Sequence, residues 1–133
     1  MRTDFIKTLV SEHHEISGLF DTIDETSNLS ARKDLIQKLQ VILAPHLRKE
    51  DTELYPVLIG STDQEVRRMA NIFHLTMESY AENFALVASK IFSIEGGEIP
   101  MDILSDYENI RDKIMDRITI EEVTIFPAYE RLI

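Results

Sequence analysis

The sequence contains no cysteine, only four glycines and four prolines, and no apolar run of transmembrane length. Without cysteine there can be no disulfide, thiolate zinc site, Cys-ligated iron–sulfur cluster or cysteine nucleophile. Few glycines and prolines among 133 residues leave little material for turns, which points to long helices. Basic residues are also scarce, 14 Lys and Arg against 24 Asp and Glu, for a formal charge of −10. A phosphate-binding surface needs clustered Lys and Arg, so this balance speaks against generic binding to nucleic acid or an anionic membrane. The opening MRTDFIKTLVSEHHE turns polar too early for a secretory signal, and the expectation is a cytoplasmic domain. Several catalytic signatures are missing too. No Gly-rich phosphate loop occurs, no Glu-x-x-His occurs, and His14-Glu15 is followed by Ile16, Ser17 and Gly18 rather than completing a zinc-protease motif.

What is present is helical periodicity. Ile6, Leu9, His13, Ile16, Phe20 and Ile23 alternate three and four apart and predict a helix over about 3–26. A polar stretch follows, with Ser30 a candidate N-cap. The second helix carries Leu35, Leu39, Ile42, His46 and Glu50 on one face and runs to Tyr55-Pro56. Gly60-Ser-Thr-Asp stops it, and Thr62 with Glu65 has the spacing of a capping box. The third shows Val66, Ala70, Phe73, Met77, Phe84, Val87 and Ile91 and ends before Gly96-Gly97. Pro100 or Asp102 opens the fourth, faced by Ile103, Tyr107, Ile110, Ile114, Arg117, Glu121 and Ile125. Four amphipathic helices with short loops, and no strand pattern, predict an all-α, antiparallel up-down-up-down four-helix bundle, one domain over 1–133. Pro45 conflicts with the second helix: it removes a hydrogen bond and crowds the carbonyl of Val41, so a kink or bulge is expected there.

The chemistry lies in the polar residues on these apolar faces. His13 stands between Leu9 and Ile16; His46 and Glu50 share a face four residues apart; His74 lies beside Phe73 and Met77; Arg117 and Glu121 are again four apart. In an antiparallel bundle they can converge on one layer of the core. Burying an imidazole or carboxylate without a partner costs several kcal/mol as an order of magnitude. Such groups therefore either ligate a cation or neutralise and hydrogen-bond one another. Imidazole and carboxylate donors without thiolate suit iron, manganese or zinc. By contrast, His14 reads as a partly exposed neighbour, the methionines as core or helix-surface residues, and Tyr55 and Phe126 as plugs of the bundle end.

Residues 46–56, His-Leu-Arg-Lys-Glu-Asp-Thr-Glu-Leu-Tyr-Pro, repeat at an offset of 71 in Arg-Ile-Thr-Ile-Glu-Glu-Val-Thr-Ile-Phe-Pro, 117–127. Glu50 pairs with Glu121 and Pro56 with Pro127, together with the acidic, aliphatic and aromatic positions between them. This suggests two related helical hairpins, each ending in an acidic turn and a proline stop.

In Leu9-x-x-Glu12-His13-x-x-Ile16, His46-Leu-x-x-Glu50-Asp51-x-x-Leu54-Tyr55-Pro56, His74 and Glu121-Glu122-x-x-Ile125-Phe126-Pro127, nearly the whole chain resembles the hemerythrin-like, HHE cation-binding family. The resemblance implies a four-helix bundle around a non-haem di-iron site, with dioxygen binding or sensing, or the handling of iron. It implies as ligands His13 rather than His14, the pair His46 and Glu50, His74, and Glu121 or Glu122. Two positions depart from the pattern. Arg117 replaces a fourth-helix histidine, carries a fixed charge and is no ordinary ligand. His74 has no second histidine one turn away, position 70 being Ala and position 78 Glu, although Glu78 could substitute. Two readings follow. In the first, His13, His46, Glu50, His74 and Glu121 hold one or two ions, iron foremost, open to dioxygen or another small ligand and lined by Leu9, Phe73, Met77 and Ile114. In the second, the bundle is metal-free and serves regulation or protein interaction, with Arg117 bridging carboxylates in place of the metal charge. An oxidase-like enzyme is poorly supported by this ligand set.

Overall fold

The computed structural model describes residues 3–132, and among them every regular element is helical. Helix α1 spans Asp4–Glu25, α2 Leu29–Lys49, α3 Tyr55–Ile59, α4 Gln64–Met77, α5 Tyr80–Phe92, α6 Met101–Ile120 and α7 Phe126–Leu132. These make four rods: α1; α2 continued through a π-helical turn, Glu50–Leu54, into α3; α4 with α5; and α6 continued through a second π-helical turn, Glu121–Ile125, into α7. The expected four-helix bundle is thus observed.

Local chemistry sets the ends of the rods. Thr3 caps α1 by accepting from the Ile6 N–H, and Asn28 caps α2 by accepting from Ala31. Asn28, not Ser30, is therefore the cap, and Leu29 and Ser30 already lie in the first turn. Asp63 caps α4, accepting from Glu65 and Val66, one residue beyond the expected Thr62. Pro100 precedes α6 directly. The turn before it uses Gly97 at φ 82°, a conformation that costs glycine nothing.

Three expectations about helix continuity are corrected. First, α2 runs unbroken through Pro45, whose ring is exposed. Second, the irregularity lies at Glu50–Leu54 and recurs at Glu121–Ile125, 71 residues on. In each, the closing N–H reaches five residues back, from Tyr55 to the Glu50 carbonyl and from Phe126 to the Glu121 carbonyl. A proline follows at once, Pro56 or Pro127, with no N–H to give and a ring that crowds the carbonyl four residues earlier. Widening the preceding turn by one residue accommodates that ring, so these prolines do not stop the rods: α3 and α7 continue them. Third, the third rod is broken at Glu78–Ser79.

The core forms two apolar clusters. One gathers Phe20, Ile36, Leu39, Phe84, Ile91 and Ile114; the other Ile6, Leu9, Leu54, Tyr55, Leu58, Met77 and Phe126. Each fully buried aliphatic side chain contributes about 1.5–3 kcal/mol, and this offsets the cost of the polar layer held with them. Ile16 belongs to the first cluster and Leu9 to the second, which places His13 at the junction.

Candidate metal centre

The buried polar and charged side chains among the described residues are His13, His46, Glu50, Ser61, Arg117 and Glu121. All but Ser61 meet in one layer. The helical periods bring His13 inward from α1 and His46 from the last turn of α2. The two π-helical turns place Glu50 and Glu121 at their first residues, and such turns recur where a side chain must be re-aimed at a site.

Four atoms face one another here: His13 Nε2, His46 Nε2, Glu50 Oε2 and Glu121 Oε1. One ligand atom from each of these four residues lies within 4.8 Å of the other three. His13 Nε2 is 3.4 Å from Glu50 Oε2 and 3.2 Å from Glu121 Oε1, and His46 Nε2 is 3.1 Å from Glu50 Oε2. Despite these separations the four atoms are not aligned for hydrogen bonds to one another, and none has another partner. Donors held about 2.1 Å from a shared cation in a tetrahedron stand about 3.4 Å apart, so the spacing fits an ion-binding group.

The outer atoms of the same residues are all engaged. His13 Nδ1 lies 2.8 Å from Glu122 Oε2, and His46 Nδ1 lies 2.7 Å from Glu12 Oε1. Glu12 also accepts from Lys49 at 2.8 Å. An imidazole that donates Nδ1–H to a carboxylate presents the lone pair of Nε2 on the other side, and a metal-ligating histidine is oriented in this way. Glu121 Oε2 accepts from the Tyr55 hydroxyl at 2.8 Å and from Arg117 Nε at 3.1 Å. Glu50 Oε1 accepts from Arg117 Nη2 at 3.1 Å. The donors are therefore pinned from outside and free only inward.

Charge follows the same geometry. Burial opposes the His13 imidazolium, but the carboxylates of Glu121 and Glu50 outweigh it and raise its pKa to about 10. His46 is raised as well, with Glu50 prevailing over burial. Glu50 stays well below the usual carboxylate range: His13, His46 and Arg117 overcome its desolvation. Glu121 is pushed up to about 7, chiefly by burial and then by the charge of Glu50. The layer thus retains protons on imidazole when no cation neutralises its carboxylates.

Of the five residues expected as ligands, His13, His46, Glu50 and Glu121 come together. His74 does not. Its side chain is 25% exposed, with Nε2 turned toward Asp51 Oδ1 at 3.6 Å and its ring 5.3 Å from that of Tyr55. The inward line of α4 passes through Ala70 and Met77, which leaves Phe73 and His74 half-buried. Glu78 is exposed in the break of the third rod and takes no part. His14 is exposed, more fully than expected, and takes no part. Of the expected apolar lining, Leu9, Met77 and Ile114 are buried. Tyr55 is more than a plug, since its hydroxyl orients Glu121. Sequence reasoning missed the holding roles of Glu12 and Glu122, because each neighbours a donor in sequence yet serves a histidine on another rod. The signal was available: Asp51 and Glu122 coincide in the repeat, an acidic residue directly after each inward glutamate.

A family model described as Hemerythrin HHE cation binding domain matches residues 4–129. No curated protein and no solved structure matches the chain. A match over nearly its whole length shows that the chain belongs to this cation-binding family.

Proposed function

We propose, from membership of the hemerythrin HHE family, that this protein binds iron in its bundle core and serves to bind or sense iron or dioxygen rather than to catalyse a reaction. One observation carries the reading: four buried donor atoms from three rods face a common point, and none has a hydrogen-bond partner. Without a cation these atoms have only poorly aligned imidazole–carboxylate contacts at 3.1–3.4 Å to satisfy them, and a cation at the common point would engage all four at once.

His13, His46, Glu50 and Glu121 would hold the ion. Two imidazoles and two carboxylates form a donor set that iron, manganese and zinc accept; zinc has no second oxidation state, and family membership favours iron over manganese. The chain's own residues do the rest. Glu122 and Glu12 fix the two imidazoles with Nε2 inward. Tyr55 and Arg117 orient Glu121, and Arg117 orients Glu50. Leu9, Met77 and Ile114 exclude bulk water.

Elemental analysis of protein purified without chelator, followed by anaerobic reconstitution with ferrous iron, tests the reading. Stoichiometric iron with a visible absorption change on exposure to air is expected. Protein that holds no iron as purified and takes up none on reconstitution would overturn it.

A further inference from the structure

The contacts of the polar layer obey the 71-residue repeat. His46 corresponds to Arg117, Glu50 to Glu121, Asp51 to Glu122 and Tyr55 to Phe126. Phe126 stacks on His13 with ring centroids 5.3 Å apart, and Tyr55 meets His74 at the same separation. Glu122 lies 2.8 Å from His13, and Asp51 lies 3.6 Å from His74. By these partners His74 is the counterpart of His13, although Glu122 meets Nδ1 of His13 whereas Asp51 meets Nε2 of His74. One half of the layer holds His13 and His46 with Glu50 Oε2 and Glu121 Oε1. The related half holds Arg117 with Glu50 Oε1 and Glu121 Oε2, and His74 stands at its edge against Asp51.

We propose that the core takes one external cation, not two, and that the Arg117 guanidinium is a tethered second cation filling the related half-site. The proposal rests on the cation-binding reading above and adds its stoichiometry.

Arg117 is built into that half completely. It is 2% exposed. Nε donates to Glu121 Oε2 at 3.1 Å, and Nη2 to Glu50 Oε1 at 3.1 Å and Asp51 Oδ1 at 3.3 Å. Nη1 donates to the Met77 carbonyl at 3.1 Å, and the guanidinium lies 5.6 Å from the Tyr55 ring centroid. A guanidinium keeps its charge at every accessible pH and can bridge two carboxylates as a divalent ion would, but it offers no lone pair. Each glutamate therefore divides its oxygens, one to the fixed cation and one to the unsatisfied donor group. His74, the imidazole that would complete the second half, offers Nε2 to Asp51 instead of to the core. The functional consequence concerns electrons. If that ion is iron, a single ferrous–ferric couple would supply one electron where a pair of ions would supply two.

The test counts ions. Full-length protein is titrated anaerobically with ferrous iron, and in parallel with Zn(II), and bound metal per chain is measured after desalting, with helicity followed by circular dichroism. Wild type is expected to bind one ion, Arg117→His two, and Arg117→His combined with His74→Ala one. Arg117→Lys preserves the charge and is expected to stay at one, which keeps the test decisive should Arg117→His fail to fold. Two ions in wild type or in Arg117→Lys, or one in a folded Arg117→His, would overturn the proposal while leaving the cation-binding reading intact. No ion in wild type would overturn both.

Discussion

Arg117 donates from Nη1 to the main-chain carbonyl of Met77, the last residue of α4, at 3.1 Å. This is the carbonyl that a continuing helix would direct at the N–H four residues on, and the third rod breaks directly after it. The buried guanidinium thus ties together the second, third and fourth rods: through Glu50 and Asp51, through Met77, and through Glu121.

Arg117→Met should therefore be costly in the cation-free protein. The substitution leaves two buried carboxylates without their fixed counter-charge, a class of change that costs about 3–5 kcal/mol. Urea denaturation should show the loss, and excess divalent cation should recover part of it by neutralising Glu50 and Glu121. A loss below about 1 kcal/mol would mean that the network contributes little to the fold.

This dependence on tertiary contacts explains which features could be read from the sequence. His13, His46, Glu50 and Glu121 were legible because each interrupts an apolar stripe, and the stripe fixes direction. His74 was misplaced for the same reason in reverse: next to Phe73 and Met77 it reads as inward, yet α4 turns Ala70 and Met77 to the core and leaves its side chain 25% exposed. The break at Glu78–Ser79 carries no glycine or proline signal, and the carbonyl just before it is met by Arg117, forty residues away in the chain. The two π-helical turns were half-legible. The repeat located them, but local pattern takes a proline after an acidic turn for a stop, whereas here the preceding turn widens and the rod continues.

Glu12→Gln and Glu122→Gln should each weaken cation binding while leaving the fold intact. Both carboxylates are partly exposed, and each holds one imidazole by its Nδ1, at 2.7 and 2.8 Å. Loss of such a holding group typically costs 10–100-fold in metal affinity. Competition against a chelator of known affinity measures the change. A pair of variants with wild-type affinity would show that the imidazoles are oriented by packing alone.

Raising the pH should have opposite effects on stability and affinity. In the cation-free protein the pKa of His13 is raised from 6.5 to about 10. The folded state then binds this proton more tightly than the unfolded state, so its stabilisation is complete below about pH 6.5 and is lost as pH climbs through 10. A cation needs the Nε2 lone pair, so binding near pH 7 expels that proton, and affinity should rise with pH up to about 10, about tenfold per unit for each proton expelled, with His46 and Glu121 adding to His13 where they are protonated. Denaturation midpoints of cation-free protein from pH 6.5 to 10, alongside chelator competition over the same range, check both slopes. Affinity that does not vary with pH would exclude His13 as a ligand.

Tyr55→Phe isolates one hydrogen bond. The hydroxyl donates to Glu121 Oε2 at 2.8 Å in a buried setting, and the repeat already places a phenylalanine, Phe126, at the related position, so the ring itself should pack unchanged. A hydrogen bond to a charged group contributes about 1.5–3 kcal/mol, and a stability loss of that size is expected. Cation affinity should fall as well, because Glu121 retains only Arg117 to orient it. Retention of both properties would assign Tyr55 to packing only.

Pro45→Ala separates the irregularity of α2 from the chemistry beside it. Pro45 precedes His46 directly, but its ring is exposed and α2 runs through it unbroken, while the widened turn starts five residues later at Glu50. The related turn at Glu121 forms with Asp116 in the position equivalent to Pro45, so no proline is needed there. Proline inside a helix is disfavoured relative to alanine by about 3 kcal/mol, and the substitution should raise stability by a fraction of that amount. Cation affinity should stay within twofold of wild type. A marked drop in affinity with no loss of helicity would instead give Pro45 a part in setting the approach of His46.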